Sequence, residues 1–216
     1  MKKNQTYAVF GLGRYGMAVA RELVENGKEV IAIDGNQKLV NDAADFIPVC
    51  KCADVTDADV FARLDIGSVD TAIVCMASSL EASVMAITLC KEMGVKTVIA
   101  KCADEIQQKI LLRVGADQVV CPESESGVRL AKNLLSSGFI DMISLSQDAS
   151  IVEIDVRSEW VGKSLVELHL RRKYGINVVA IKKAGKINVH ITPEQLLDEQ
   201  MTLIVIANNT KLSRLN

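Results

Sequence analysis

One stretch, residues 7–34 (YAVFGLGRYGMAVARELVENGKEVIAID), limits what this chain can become. The apolar run at 7–10 is short enough for a buried parallel strand. Gly11, Gly13 and Gly16 follow at once in the pattern G-x-G-x-x-G. Ala18, Val19, Leu23 and Val24 then recur at helical spacing up to Gly27, and residues 29–33 form a second apolar strand that ends on Asp34. In such a unit the first glycine makes the turn, the second lets backbone amides approach a diphosphate, and the third lets helix and strand pack closely. The helix N-terminus offers N–H groups and partial positive charge to an anion. Asp34 stands 23 residues beyond Gly11, near the offset of ~20 at which a carboxylate accepts from ribose hydroxyls. Strand, glycines, helix, strand and terminal acid in that order predict a nucleotide site.

The rhythm continues. Apolar strands are expected at 47–52, 71–76, 97–100 and 118–121, each followed by a helical pattern, the last running through Leu135. Strands apolar throughout suit a sheet covered on both faces. Right-handed crossovers then predict an α/β, Rossmann-like, doubly wound parallel sheet of order 3-2-1-4-5-6. Pro48 fits an edge strand, which that order gives it. Near Gly138 the period changes to two, at 143–146 and 152–156. A short helix at 164–174, stopped by Gly175, a hairpin turning at Ala184-Gly185 between strands 177–182 and 186–191, and a final strand at 202–207 predict a small α+β C-terminal domain. The expected domains are 1–140 and 141–216.

With 216 residues, 49% hydrophobic and 24% charged, the chain can build a core in both domains. Mean hydropathy is +0.21, which suits either apolar surface buried between subunits or a tightly packed monomer. A net charge of −2 argues against nucleic acid as a partner. No apolar run nears the ~20 residues that span a bilayer, and the opening MKKNQT leaves no room for a signal peptide. The six cysteines form no C-x-x-C and read as small buried hydrophobes in a reducing cytoplasm, against metal ligation or disulfides.

Ligands of an open parallel sheet bind beyond the carboxyl ends of its strands, at the switch point. The candidate nucleotide-binding residues there are Gly11, Leu12, Gly13, Arg14, Tyr15, Gly16, Asp34, Asp54, Val55, Ala77, Ser78, Lys101 and Glu123. Arg14, inside the glycine loop, either meets a terminal phosphate or simply faces solvent. Asp34 repels a 2′-phosphate and so argues against NADP. Asp54 either accepts from an adenine amino group or caps the next helix. Lys101 either neutralises phosphate or is a plain strand-end lysine. Glu123 either holds a divalent cation against phosphates or caps its helix. The first domain has no histidine, and His169 and His190 are the only two in the chain. With no acid–base group, P-loop lysine, nucleophile elbow or metal motif, the site reads as one that binds a nucleotide without transforming it. An NAD-dependent oxidoreductase is the alternative.

These residues resemble a known family. The G-x-G-R-[FY]-G loop, the I-D strand end and L-x-x-x-x-G-V-x-x-V-I-x-K at 89–101 are similar to the RCK (regulator of conductance of potassium) regulatory subunits of Trk/Ktr potassium-uptake systems. So are G-A-D-x-V-x-x-P-E at 115–123 and K-Y-G-x-x-V-x-A-I at 173–181. The resemblance covers nearly the whole chain, and a single unit rather than a duplicated one favours the Ktr type. It implies a non-enzymatic, cytoplasmic subunit at the inner face of the plasma membrane. It also implies homodimers assembled into an octameric ring below a membrane-embedded potassium-translocating subunit. The implied ligand is ATP/ADP or NAD(H), with Mg²⁺ or Ca²⁺ accompanying ATP. Arg14 would meet the terminal phosphate, Asp34 the ribose and Asp54 the adenine, with Glu123 the cation ligand. A second site for cyclic di-AMP would involve Leu170, Arg171, Asn177, Val178 and Pro193. A gating ring for a potassium channel remains a further alternative.

Overall fold

The computed structural model describes residues 5–135, 139–146, 148–208 and 210. The opening MKKN and Gly138 lie outside them. The chain divides into two compact units, residues 1–124 and 125–216.

The first unit carries a parallel sheet of order β3-β2-β1-β4-β5-β6, as expected. Its strands are β1 (Thr6–Phe10), β2 (Glu29–Asp34), β3 (Val49–Cys52), β4 (Thr71–Val74), β5 (Thr97–Lys101) and β6 (Gln118–Val120). Helices α1 (Arg14–Glu25), α2 (Gln37–Ala44), α3 (Ala58–Arg63), α4 (Leu80–Glu92) and α5 (Glu105–Val114) connect them, and α6 (Pro122–Leu135) follows. Alternate residues of β1, β2 and β4 enter opposite cores. Ala8, Phe10, Ala72, Val74 and Val98 face one, with Ile87 and Leu111. Val9, Val30, Ala32 and Ile73 face the other, with Ala20 and Val40. Full burial contributes about 1.5–3 kcal/mol for each Ile, Leu, Val or Phe, so a sheet lined on both faces is the stable core of this unit. The Phe10 and Phe61 rings stack with centroids 4.9 Å apart. Pro48 immediately precedes β3, at the sheet edge.

The second unit is an antiparallel sheet of order β10-β9-β11-β8-β7. Its strands are β7 (Phe139–Ser144), β8 (Ala149–Asp155), β9 (Ile176–Lys183), β10 (Lys186–Asn188) and β11 (Met201–Asn208). One face packs a core of Val152, Ile154, Ile181, Leu203 and Val205 with Trp160, Leu168 and Leu170. On the other face Glu153 of β8 accepts from Lys182 of β9 at 2.9 and 3.0 Å and from the Thr202 hydroxyl of β11 at 2.8 Å.

Three expectations need correction. The helix at 164–174 is two helices, α7 (Leu165–Leu168) and α8 (Leu170–Tyr174), separated by His169 at φ +47°. Leu168 and Leu170 are both buried. Two positions apart on one helix they would point about 200° apart, so the left-handed break is what turns both inward. The strand expected at 186–191 stops at Asn188, whose side chain accepts from the His190 N–H at 2.9 Å. Not all cysteines are free: Cys102 and Cys121 form a disulfide, with Cα atoms 5.1 Å apart, while Cys50, Cys52, Cys75 and Cys90 remain thiols. The strand order makes neighbours of residues 19 positions apart, which their spacing alone did not show.

Candidate functional site

Beyond the carboxyl ends of β1, β2 and β4 the glycine loop makes one tight construction. Gly11 lies at φ +91°, with its amide donating to Ile33 O at 2.8 Å. A Cβ at Gly16 would stand 1.9 Å from Gly11 O, so only glycine lets α1 start this close to the strand end. A Cβ on Gly13 would meet nothing within 4 Å, so the loop surface there is open.

The helix that starts from this loop differs from those that follow. Asn36, Asp57, Ser79 and Asp104 cap α2 to α5 with side-chain oxygens. The Gly13 cap of α1 supplies no side chain. Uncapped amides and the helix dipole make that end receptive to an anion. Arg14, the first residue of α1, is exposed beside it.

Asp34 ends β2 and closes against the loop. Its Oδ2 accepts from Leu12 N–H at 2.6 Å and its Oδ1 from Asn36 N–H at 2.7 Å. A carboxylate has about four lone-pair sites, so acceptor capacity is left on both oxygens for hydroxyl donors. Next to it lies an open cavity of about 560 Å³, lined by Asp34, Gly35, Cys52, Ala53, Asp54, Val55, Met76 and Ser78. Four of the sequence-predicted residues meet there: Asp34, Asp54, Val55 and Ser78. Asp54 does not cap α3, since Asp57 does that. Its Oδ1 instead accepts from both the N–H and the hydroxyl of Thr56 at 2.8 Å, and these bonds hold its carboxyl below the usual Asp range. Ala77 and Ser78 form the turn before α4, braced by the Ser83 hydroxyl, which donates to Met76 O at 3.1 Å.

Sequence reasoning missed Gly35, Cys52 and Ala53, and set Met76 at the end of the strand expected at 71–76 without assigning it a contact. The strand-end rule pointed to all four positions. Met76 is the most informative, because it lines the cavity and would also lie 2.8 Å from a Cβ on Gly11.

Lys101 and Glu123 stand apart from that cavity, at the ends of β5 and β6. Lys101 Nζ donates to Glu123 Oε1 at 2.5 Å and lies 5.7 Å from the centre of the Tyr15 ring in the glycine loop. The hydrogen bond from Lys101 pulls the Glu123 carboxyl below its ordinary value. Burial pushes the Cys75 thiol up to about 12, against an opposing pull from Lys101. Lys101 therefore links the glycine loop, the end of β4 and the start of α6. No cluster of three or more His, Cys, Asp or Glu able to hold a metal occurs among the described residues. Glu123 alone fits a cation only when other ligands come with it.

In the second unit Leu170, Arg171, Asn177, Val178 and Pro193 all line one cavity of about 400 Å³. Val166, His169, Arg172, Ile176 and Thr192 share its wall. The segment carrying Pro193 is tied down by Val166 N–H to Pro193 O at 2.9 Å. An apolar floor with arginines at its rim suits a ligand that is flat in part and anionic in part.

Comparison with known proteins adds independent findings. The TrkA-N domain family matches residues 7–122 and the TrkA-C domain family residues 150–216. The Ktr system potassium uptake protein C of Bacillus subtilis (strain 168) is 36% identical over 214 residues, covering 99% of this chain and 96% of that protein. The Ktr system potassium uptake protein A of the same organism is 32% identical over 212 residues, covering 98% and 96%. The GsuK channel bound to NAD superposes with a TM-score of 0.66 at 18% identity, covering 99% of this chain and 39% of the channel chain. At that identity the likeness speaks for the fold.

Proposed function

This chain belongs to the TrkA-N/TrkA-C family, the RCK regulators of potassium transport, which are not enzymes; on that premise we propose that it is a nucleotide-sensing gating subunit of a potassium-uptake system. It would act in the cytoplasm, as dimers in a ring against a membrane-embedded potassium-translocating subunit. No helix among the described residues is long and apolar enough to cross a membrane, which fits a separate translocating partner.

The observation that carries the reading is the uncapped start of α1 beside a ribose-type acid and an open cavity. A diphosphate would lie on the amides following Gly13, with ribose hydroxyls donating to Asp34. The adenine would sit in the cavity against Met76 and Val55, within reach of Asp54. Arg14 would take the terminal phosphate. Lys101 and Glu123 would flank the phosphate end, where Glu123 could complete the shell of a Mg²⁺ or Ca²⁺ held mainly by phosphate oxygens and water. This charged cluster favours ATP and ADP over NAD(H), whose nicotinamide end carries no terminal phosphate. Gating needs a difference in binding free energy between two ring states, and contacts made by a triphosphate but not a diphosphate would supply it. The cavity around Arg171 and Asn177 would take cyclic di-AMP as a second signal.

Calorimetric titration with ATP, ADP, NADH and cyclic di-AMP, with and without Mg²⁺ or Ca²⁺, tests the proposal. Tight ATP and ADP binding, with a cation effect lost in Glu123→Gln, is the expected result. Preferential NADH binding without a cation effect would overturn the roles given to Arg14 and Glu123.

A further inference from the structure

We propose that Cys102 and Cys121 are a reversible thiol–disulfide pair that sets the strength of phosphate and cation binding at Lys101 and Glu123, an inference that rests on the nucleotide reading of that site. Position is the first argument. Cys102 directly follows Lys101 at the end of β5, and Cys121 follows β6 two residues before Glu123. The bridge therefore ties together the two segments that carry the Lys101–Glu123 ion pair.

Geometry is the second. A Cα separation of 5.1 Å lies within the usual disulfide range. The sheet itself holds that separation: Lys101 pairs with Val120, and Cys102 N–H donates to Val120 O at 2.9 Å. Reduction would leave the two sulfurs as neighbours, ready to close again. The other cysteines lack such a partner, and burial pushes the Cys75 and Cys90 thiols up to about 12, far from the reactive thiolate.

In a reducing cytoplasm a disulfide is generally transient and redox-sensing rather than a permanent staple. A thiolate of a dithiol reductant, small molecule or protein, attacks Cys121 Sγ, the less buried partner. The bond between the two sulfurs breaks, a mixed disulfide forms on Cys121, and Cys102 leaves as a thiolate that takes a proton. The second thiol of the reductant then displaces Cys121, which is protonated in turn. Two electrons and two protons pass to the protein, and the reductant ends as a disulfide. A disulfide oxidant reverses each step. While bridged, Lys101 and Glu123 are held at one spacing, and preorganised ligands bind more tightly than mobile ones.

The test uses the full chain, treated with either a disulfide oxidant or a dithiol. Alkylation of the chain unfolded in denaturant, followed by mass measurement, should label four of the six cysteines after oxidation and all six after reduction. Titration with ATP and Mg²⁺ should give about tenfold tighter binding in the oxidised form, the size of one charge-assisted hydrogen bond. Cys121→Ser should match the reduced wild type under both treatments. Glu123→Gln should lose the redox difference while keeping the same thiol count. Equal ATP affinity in the two forms, with binding intact, would overturn the redox control alone. Six labelled thiols after oxidation would do the same. No ATP binding in either form would break the nucleotide reading and this control with it.

Discussion

The two units solve the problem of burying a sheet in opposite ways. In the first, both faces are covered by helices, so β1, β2 and β4 are apolar at nearly every position and neighbouring residues serve different cores. In the second, one face holds a core and the other carries the Glu153–Lys182–Thr202 bracket. The difference shows in how each unit builds a binding surface. The parallel sheet directs all its strand ends to one edge, and the first unit gathers its candidate ligands there, on loops. The second unit builds its cavity from a short broken helix, one strand and a pinned segment.

Breaking one unit at a time sharpens the contrast. Trp160 is the only tryptophan and is buried in the second core, so its fluorescence reports that unit. Leu203→Ala, in the middle of β11, should lower the stability of the second unit by about 4 kcal/mol, shifting the Trp160 transition in urea while ATP binding survives. Gly16→Ala should cost the first unit about 3 kcal/mol, because the new Cβ meets backbone that cannot move aside. Its expected sign is reduced nucleotide affinity with the Trp160 transition unmoved. A parallel shift of that transition would show that the two units unfold together and would end the contrast.

Smaller effects separate the parts of the proposed nucleotide site. Asp34→Asn should weaken ATP and ADP alike by about tenfold, since it loses the charged acceptor common to both. Arg14→Ala should instead narrow the preference for ATP over ADP by roughly fivefold, the effect of one exposed phosphate contact, and equal losses for both nucleotides would refute its assignment to the terminal phosphate.

The smallest effect is a pH dependence confined to the first unit. Asp117 Oδ2 accepts from Lys91 Nζ and from Val98 N–H, each at 2.6 Å, and the Lys91 bond leads in holding its carboxyl below the ordinary Asp range. A folded-state value below the unfolded one means the stabilisation is fully present above the ordinary Asp range and is lost as pH falls through the lower folded value. Screening at this half-open position keeps it under about 1 kcal/mol. Urea unfolding of Asp117→Asn should accordingly converge with wild type at acid pH and fall below it at neutral pH.

The sheet of the first unit was legible because local signals agreed with one another: period, glycine spacing, Pro48 at an edge and Asp34 at a strand end. His169 escaped because a left-handed break in a helix leaves no mark on composition; only the need to bury both Leu168 and Leu170 reveals it. The disulfide escaped because the expected strand order sets β5 beside β6 but leaves open the register, and it is the pairing of Lys101 with Val120 that brings Cys102 against Cys121. The role of Asp54 was undecidable without coordinates, since Asp54 and Asp57 both suit the start of α3 and only the hydrogen bonds separate them. Lys101 and Glu123 were each readable as strand-end or helix-start residues, but their pairing depends on the register of β6 against β5 and on where the two side chains reach, which spacing does not set.

The position of β11 has a consequence for how the chain matures. In the first unit β1, the earliest strand to be synthesised, lies in the interior of its sheet, and later strands add outward from it on both sides. In the second unit β11, the latest of the described strands, lies between β8 and β9, which are made before it. On a ribosome the first sheet can therefore grow as its strands emerge, because its template is already present. The second cannot close until β11 is clear of the exit tunnel, and until then β8 and β9 expose the edges that β11 will join. A nascent chain stalled before Met201 would thus combine a nearly finished first unit with two open strand edges in the second, the form most exposed to misassembly with its neighbours.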